Sequence, residues 1–209
     1  DIIMTGCPVW YHLDSLGKDF IYPNNIKSVV YTPAQDSRYR SQSIRVMKVI
    51  KEIFSDSKIY CSFHRGIGTK DQYTHEWEVE NTKVLASEAE KIGITTVDTA
   101  FDLDSIKFYD ECDIHIGYRV HGHIYFLSKR KPSILIHEDG RGRGVSEALN
   151  IHGIDAFERT YFSNLFKDTE NIILVKIINK LFGLIKENKT VDVQLKNYIE
   201  QELQSGFKR

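Results

Sequence analysis

An arginine and a histidine stand two residues apart where a predicted strand passes into a predicted helix. In Cys112–Gly122, with the sequence CDIHIGYRVHG, Asp113–Tyr118 is typical of a short strand and Gly122–Arg130 of the helix that follows. Arg119 and His121 therefore lie at the junction. Free N–H groups and the helix dipole favour an anion there, and open α/β sheets bind ligands at the carboxyl ends of their strands. The sequence predicts an anion-binding site at these two residues.

Other histidines and charged residues follow other predicted strands in the same way. Because the carboxyl ends of parallel strands form one edge of a sheet, we expect these side chains to converge on a small, multiply anionic ligand. The residues predicted to bind substrate are Arg119, His121, His64, Arg65, Arg141 and Arg143. The same edge carries Gln35, Asp36, Arg38, Arg40, Asp98, Asp102, His123, His137, Glu138 and Asp139.

Each candidate also has a purely structural interpretation. Arg119 could form a surface salt bridge, and His121 could cap its helix. His123 is interpreted first as a packing residue, because it lies inside the predicted helix. The segment HEDGRGRG, which begins at His137, is interpreted either as a solvated loop or as a ligand-contacting one.

Strands and helices alternate along most of the chain. The hydrophobic patterns predict the strands Lys27–Thr32, Lys58–Phe63, Ile94–Asp98, Asp113–Tyr118 and Ser133–His137. They predict helices at Ser37–Phe54, Thr74–Ile92, Asp104–Cys112, Gly122–Arg130, Ser146–Asn150, Asn171–Glu187 and Val191–Leu203. This order predicts an α/β fold, a doubly wound Rossmann-like parallel sheet with right-handed crossovers. We expect residues 1–25 to be a remnant of a preceding domain or a linker, beginning with a strand at Asp1–Met4. Residues 26–153 are expected to form the Rossmann-like domain, and 154–209 a C-terminal loop and helices.

Composition excludes several classes of protein. The 209 residues carry a formal net charge of −1, which argues against a globally basic nucleic-acid binder. Cys7, Cys61 and Cys112 lack metal or redox spacing, which indicates buried thiols in a reducing compartment. No run of residues is apolar and long enough for a membrane span. The absence of GxxxxGK[ST] and GxGxxG loops argues against nucleoside-triphosphate hydrolases and dinucleotide oxidoreductases.

The stretch from Asp104 to Gly153 resembles the polysaccharide pyruvyl transferase family. The resemblance lies in a hydrophobic strand that runs into Arg119-Val120-His121, followed by a helix, a strand headed by Pro132 and the charged segment Glu138–Gly144. The opening TGCP, with aromatic residues after it, is also similar to the family. The resemblance implies a two-domain glycosyltransferase-B-like fold, of which this chain corresponds to the C-terminal, donor-binding half. The family's N-terminal domain is not found in the sequence.

The resemblance also implies a function. Phosphoenolpyruvate is the expected donor, a glycan or glycolipid with two hydroxyls is the acceptor, and the product is a pyruvate ketal on a cell-surface glycan. Arg119 and His121 are expected to hold the donor. His121 is suited to protonate the departing phosphate, and Glu138 or Asp139 to serve as acid or base. The scheme needs no metal and no cofactor, and it predicts a cytoplasmic protein, free or at the inner face of the membrane. With half of the interdomain cleft missing, the isolated chain is expected to bind donor weakly and to transfer little.

Two other functions fit the same residues. In a sugar-nucleotide glycosyltransferase, Glu138 would hold a ribose, and Arg119 and His121 a diphosphate. A non-catalytic binding domain could keep the fold without activity. Titration with phosphoenolpyruvate and with UDP distinguishes the pyruvyl transferase from the glycosyltransferase. Substitution of Arg119 distinguishes the transferase from a non-catalytic binding domain.

Overall fold

A parallel β-sheet forms the centre of the molecule. The computed structural model describes residues 12–70, 74–102, 104–159 and 185–206. Within them, the strands of the sheet are β1 (Ser28–Thr32), β2 (Lys58–Phe63), β3 (Thr95–Asp98), β4 (Ile114–Gly117), β5 (Ser133–His137) and β6 (Ile154–Asp155). Their order is β3-β2-β1-β4-β5-β6, and every pair is parallel. This is the strand order of the Rossmann fold.

Helices connect the strands and cover both faces of the sheet. They are α1 (Arg40–Ile53), α2 (Glu76–Lys91), α3 (Val120–Ser128), α4 (Gly140–Leu149) and α5 (Val191–Ser205). α1 contacts α2 and α5, whereas α3 contacts α4. The chain winds outward from β1 in one direction and from β4 in the other, which places the two groups of helices on opposite faces. Short 3-10 helices lie at Leu13–Ser15, Ser37–Tyr39 and Asp104–Glu111, and β7 (Phe157–Arg159) pairs with β8 (Ile185–Glu187) in an antiparallel ribbon.

The two faces of the sheet bury alternate residues of the central strand. Val29 and Tyr31 of β1 belong to the larger hydrophobic core, which includes residues of α1, α2 and α5. Val30 belongs to a smaller core on the other side, with Tyr109 and Phe126. A strand with apolar residues on both faces is typical of a parallel sheet between two helical layers. The predicted doubly wound α/β fold is confirmed.

Four predicted segments differ from the structure. The charged segment Glu138–Gly144 is not a loop, because α4 already begins at Gly140, where Asp139 caps it by accepting the Arg141 N–H at 2.9 Å. The helix predicted at Ser146–Asn150 is therefore only its second half. The segment predicted as a helix at Asp104–Cys112 is a 3-10 helix. The last residues of the helix predicted at Asn171–Glu187 form strand β8 instead.

Some expectations fall partly or wholly beyond the described residues. The strand predicted at Asp1–Met4, Cys7 and most of the helix predicted from Asn171 lie outside them. Cys61 and Cys112 are buried free thiols. The sixth strand of the sheet begins at Ile154, just after the expected domain boundary at residue 153. Among the described residues, no helix is long and apolar enough to cross a membrane.

Candidate anion-binding site

The central strands β1 and β4 lie side by side, and the chain leaves them in opposite directions. β1 leads to β2 on one side, and β4 leads to β5 on the other. The loops at their carboxyl ends therefore diverge and leave a crevice, which is where open α/β sheets bind ligands. Gln35 follows β1 and Arg119 follows β4, so both lie at this point.

Glycines allow the strand-to-helix turn to lie close to its neighbours. Gly117 has φ +153°, and a Cβ there would lie 2.3 Å from the carbonyl oxygen of Thr32. A Cβ on Gly122 would lie 2.9 Å from His115 Nε2. A larger residue at position 117 would push the end of β4 away from Thr32 of β1, and one at position 122 would push α3 away from the sheet. The two glycines of the IGYRVHG segment thus fix where Arg119 and His121 begin the helix.

A series of buried hydrogen bonds lies beneath the turn between β4 and α3. Thr32 Oγ1 accepts the Arg119 N–H at 3.3 Å and lies 2.8 Å from His115 Nε2. His115 Nδ1 and His123 Nδ1 both contact Ser133 Oγ, at 2.8 and 2.7 Å. Burial lowers the pKa of both rings, that of His123 to about 3, so both are neutral. His123 thus packs beneath the site, in agreement with its structural interpretation.

Arg119 is mostly buried, and its guanidinium is only partly hydrogen-bonded. Its Nη1 donates to Gln35 Oε1 at 2.6 Å, while its Nε is buried and has no partner. Burial lowers the pKa of Arg119, and the negative charge of Glu138 acts in the opposite direction. A guanidinium stays charged under all these conditions. The site therefore contains a buried positive charge whose donors are not all used.

His121 is the more open member of the pair. It lies in the first turn of α3, and burial together with the positive charges of Arg119 and Arg141 lowers its pKa. The ring is therefore neutral near pH 7 while no anion is present. A bound anion would offset the two arginine charges and favour the protonated ring.

His64 has a fixed hydrogen bond on one side of its ring. Its Nε2 lies 2.8 Å from the hydroxyl of Tyr109, which donates to Ser62 Oγ at 2.8 Å. Because that hydroxyl proton points to Ser62, Nε2 of His64 carries the proton that Tyr109 accepts, and Nδ1 is left as an acceptor. Burial lowers the pKa of His64 to about 3, with smaller contributions from Arg119 and His121. His64 is thus a neutral ring beside the two predicted anion ligands.

Glu138 and Asp139 differ in environment although they are adjacent. Glu138 is mostly buried, and its Oε1 accepts the Asp36 N–H at 2.8 Å. Burial raises its pKa, against the opposing effects of that hydrogen bond and of Arg119. Burial also acts to raise the pKa of Asp139, but hydrogen bonds from Arg141 outweigh it and lower the pKa. Glu138 is therefore the better proton carrier of the two.

The remaining predicted arginines fall into two groups. Arg65 lines a small pocket together with Gln35, His64 and Arg119, and its Nη1 lies 3.9 Å from Glu78 Oε1. Arg141 is exposed and pairs with Asp139, and its charge acts on both Arg119 and His121. The structure thus brings together His64, Arg65, Arg119, His121, Glu138 and Arg141.

Arg143 forms its hydrogen bonds outside the candidate site, with Asp155. Its Nε donates to Asp155 Oδ1 at 2.8 Å, a second hydrogen bond joins the same two side chains, and its guanidinium lies 5.0 Å from the centre of the Phe157 ring. It faces β6 and β7, where Asp155 and Phe157 lie. Of the predicted substrate ligands, it is the one that the structure does not bring to the site.

Asp155 also takes part in an arrangement that has the connectivity of a catalytic triad. His137 Nδ1 lies 3.0 Å from Asp155 Oδ1, and His137 Nε2 lies 2.8 Å from Ser146 Oγ. Ser146 is 5% exposed and His137 6%. Gly153 packs so closely that a Cβ there would lie 2.0 Å from His137 Nε2. The side chains of His137 and Ser146 are almost fully buried, although the corner borders a cavity of about 560 Å³ that Arg143, His152 and Asp155 also line. Both ring nitrogens of His137 are used by Ser146 and Asp155, so the network joins β5, α4 and β6.

Sequence reasoning missed Glu78 and Tyr109 as parts of the site. Glu78 holds Gln35 and the N-terminus of α2, where its Oε2 accepts the His75 N–H at 2.8 Å. Its position three residues after a helix cap is the available sequence signal. Tyr109 carries no such signal, because its contact with His64 spans 45 positions in the chain.

The chain is a Rossmann-like domain with positively charged side chains around a small pocket, at the point where the strand order reverses. Among residues 12–70, 74–102, 104–159 and 185–206, no cluster of histidine, cysteine or carboxylate side chains could hold a metal ion. Comparison of the sequence with models of known protein families and with curated proteins gives no match.

Proposed function

We propose that this chain is the donor-binding part of a pyruvyl transferase. In this proposal it binds phosphoenolpyruvate and moves the pyruvyl group to two hydroxyls of a cell-surface glycan or glycolipid, as a ketal. The observation that carries the proposal is the buried, incompletely hydrogen-bonded guanidinium of Arg119, two residues before His121 at the start of α3. The identity of the donor rests on the resemblance of this Arg-x-His segment to the family.

The charges suit such a donor. Phosphoenolpyruvate carries a phosphate of about −1.5 to −2 and an adjacent carboxylate. An arginine fork can bind either group through two parallel hydrogen bonds, each worth about 1.5–3 kcal/mol when charge-assisted. Arg65 lines the same pocket as Arg119, and Arg141 supplies a further positive charge near His121. The free N–H groups in the first turn of α3 favour an anion at the same place.

The proposed reaction needs proton transfers and an electrophilic carbon. A proton is added to the methylene carbon of the donor, which makes its central carbon cationic. A sugar hydroxyl oxygen attacks that carbon and gives up its proton. The bond between the central carbon and the phosphate oxygen then breaks, inorganic phosphate leaves, and a neighbouring hydroxyl closes the ketal with loss of its own proton. The sum is phosphoenolpyruvate and a diol going to a pyruvate ketal and phosphate.

His121 and Glu138 are the groups we assign to these protons. Bound phosphate raises the pKa of His121 from its lowered value, so the ring becomes charged as the donor binds and can protonate the departing phosphate. Burial raises the pKa of Glu138, which makes it easier for this carboxyl to hold a proton that it can give up in the reaction. Positioned acid–base groups contribute on the order of 10²–10⁴-fold to such steps.

The environment of Glu138 favours this function over sugar-nucleotide transfer. A ribose-binding carboxylate must offer its oxygens to two sugar hydroxyls. Glu138 is mostly buried, and its Oε1 already accepts the Asp36 N–H. The proposal further places the reaction in the cytoplasm, free or at the inner face of the membrane, with a glycan or glycolipid acceptor and no nucleic-acid partner.

Titration with two ligands tests the proposal. Phosphoenolpyruvate and UDP are titrated into the wild-type chain, Arg119→Met and the control Arg130→Met, which alters an arginine just after the opposite end of the same helix. We expect the wild type and the control to bind phosphoenolpyruvate, and Arg119→Met to bind it at least about 100-fold more weakly, since two charge-assisted hydrogen bonds of about 1.5–3 kcal/mol each are lost. Binding of UDP without binding of phosphoenolpyruvate would contradict the proposal. Phosphate release from phosphoenolpyruvate in the presence of a glycan panel, measured together with the acceptor-binding part that the proposal requires, distinguishes an enzyme from a non-catalytic binding domain.

A further inference from the structure

We propose that Gln35 is a positioning residue that orients Arg119 without neutralising it. Gln35 stands between the buried carboxylate of Glu78 and the guanidinium of Arg119. Its amide donates a hydrogen bond to Glu78 and accepts one from Arg119, and it carries no charge. The identity of the anion that Arg119 binds rests on the proposed function, whereas the role of Gln35 holds for any small anion at this site.

The orientation of the Gln35 amide follows from its two partners. An ionised carboxylate only accepts hydrogen bonds, and a guanidinium only donates them. The Nε2 of Gln35 must therefore face Glu78, and its Oε1 must face Arg119, where it accepts from Nη1 at 2.6 Å. Rotating the amide by half a turn would set two donors against each other and two acceptors against each other. The buried carboxylate of Glu78 thus fixes Oε1 as the atom of Gln35 that accepts from Arg119.

Both ends of this arrangement are anchored. Glu78 is 5% exposed, and its second oxygen accepts the His75 N–H at 2.8 Å at the start of α2. The main chain of Gln35 is held by Asn81, whose Nδ2 donates to the Gln35 carbonyl oxygen at 3.1 Å. Asn81 Oδ1 in turn accepts from Arg40 Nε at 2.8 Å. Gln35 is thus held through both its main chain and its side chain, and the guanidinium bound to it is held in one position, with its Nε buried and without a partner.

The neutrality of Gln35 matters because the ligand is an anion. A carboxylate at position 35 would form an ion pair with Arg119 in a mostly buried site and would compete with the ligand for the same charge. An amide gives the same geometry and leaves the positive charge available. Glu138 already acts on Arg119 as an opposing charge, whereas the carboxylate that orients the amide is Glu78, on its far side.

Exchanging the two side chains separates orientation from charge. The double variant Gln35→Glu/Glu78→Gln keeps a hydrogen bond between positions 35 and 78 and an acceptor for Arg119, and it keeps the net charge. It differs in placing the carboxylate directly against the guanidinium. Gln35→Leu is the companion variant, because it removes the acceptor and adds no charge. Far-ultraviolet circular dichroism and thermal melting check that each variant is folded.

The readout is the affinity for phosphoenolpyruvate and, separately, for inorganic phosphate. We expect the exchange variant to fold like the wild type and to bind both probes at least about tenfold more weakly, a loss of about 1.4 kcal/mol. Gln35→Leu should bind both about three- to tenfold more weakly, because Arg119 loses its fixed orientation. An exchange variant with wild-type affinity would overturn the role of neutrality. Wild-type affinity in Gln35→Leu would overturn the role in orientation.

The two probes keep this inference apart from the proposed function. If the wild type binds phosphate but not phosphoenolpyruvate, and the exchange weakens phosphate binding, the proposed donor is wrong and the role of Gln35 stands. If the wild type binds phosphoenolpyruvate and the exchange does not weaken it, the donor stands and the role of Gln35 is wrong. A wild type that binds neither probe overturns both, since Arg119 would then not be an anion ligand.

Discussion

The corner around His137 and the pocket around Arg119 use similar residue types in opposite ways. At the corner, both ring nitrogens of His137 have partners, in Ser146 and Asp155, and Arg143 bonds the same aspartate. In the pocket, Arg119 has one hydrogen bond from its Nη1 and an unpartnered Nε. The corner has the connectivity of a catalytic triad and leaves neither ring nitrogen without a partner, whereas the pocket lacks a familiar catalytic pattern and contains a buried donor without one.

The comparison indicates that a binding site can be recognised by buried polar groups that have no hydrogen-bond partner. Buried polar groups in proteins are almost always hydrogen-bonded, and an exception costs stability. The corner satisfies this rule and stabilises the outer edge of the sheet. Burial lowers the pKa of Arg119 and raises that of Glu138, so both charges are unfavourable in the folded protein. Such a cost is typical of places where a ligand completes the interactions.

The largest expected effect concerns histidines that the fold keeps neutral. The pKa values of His64, His115 and His123 are lowered, so the folded protein resists their protonation while the unfolded chain accepts it. Their contribution to stability is complete above about pH 6.5 and is lost as the pH falls below that value. Each should reduce the free energy of unfolding by about 1.4 kcal/mol per pH unit in that range, and the three together by about 4. Urea denaturation between about pH 7 and pH 5 measures this slope.

Two single variants show which histidines produce the slope. His64→Gln should reduce it by about a third, whereas His121→Asn, at the more open position, should change it much less. An unchanged slope in His64→Gln would mean that this ring is not held neutral by burial.

Removing the carboxylate of Asp155 should destabilise the corner around His137 without affecting the pocket around Arg119. Asp155→Asn leaves Arg143 and His137 without their charged partner, and we expect a loss of about 2 kcal/mol in the free energy of unfolding, since hydrogen bonds to charged groups are worth about 1.5–3 kcal/mol. Affinity for phosphoenolpyruvate should stay within about twofold of the wild type under conditions where both proteins are folded. A much larger loss of affinity would show that the corner belongs to the binding site.

A neutral residue at position 138 should have the reverse effect. Because burial raises the pKa of Glu138, its ionised form lowers the stability of the folded protein above that pKa. Glu138→Gln should therefore unfold at higher denaturant concentration than the wild type at neutral pH, and the difference should shrink as the pH falls and the wild-type carboxyl takes up its proton. The same variant should lose phosphate release. A less stable Glu138→Gln protein at neutral pH would contradict this view of the carboxyl.

The smallest expected effect is a pH dependence of donor binding. Arg119 and Arg141 lower the pKa of His121. A bound phosphate would offset these charges and the ring would take up a proton, so we expect affinity to rise a few-fold as the pH falls from about 8 to about 6.5. Isothermal titration calorimetry in buffers of different ionisation enthalpy measures the proton uptake directly. In His121→Asn both the pH dependence and the proton uptake should be smaller. Equal uptake in the two proteins would assign the proton to another group.

Local patterns in the sequence were sufficient to predict most of the sheet. β2 and β5 have the predicted limits, because runs such as KIYCSF and SILIH combine β-formers with buried faces. The start of α4 was missed because GRGRG has low helix propensity, which the Asp139 cap and packing against His137 override. β6 has only two residues and carries no periodic signal.

The candidate site was predictable in location and only partly in composition. Arg119, His121 and Glu138 could be placed because each directly follows a predicted strand. Arg143 could not be excluded, since its partner Asp155 lies on the next strand and nothing local indicates that pairing. The link from Glu78 through Gln35 to Arg119 joins three distant parts of the chain, and only the folded structure brings them together.

The proposed function depends on the guanidinium of Arg119 binding the donor as a fork. Calorimetric titration of phosphoenolpyruvate into the wild type and into Arg119→Lys tests it most directly, because lysine keeps the charge but cannot form two parallel hydrogen bonds. We expect saturable 1:1 binding to the wild type and an affinity at least about tenfold lower for Arg119→Lys, or about 1.4 kcal/mol. No binding to the wild type, or equal binding to both proteins, would contradict it.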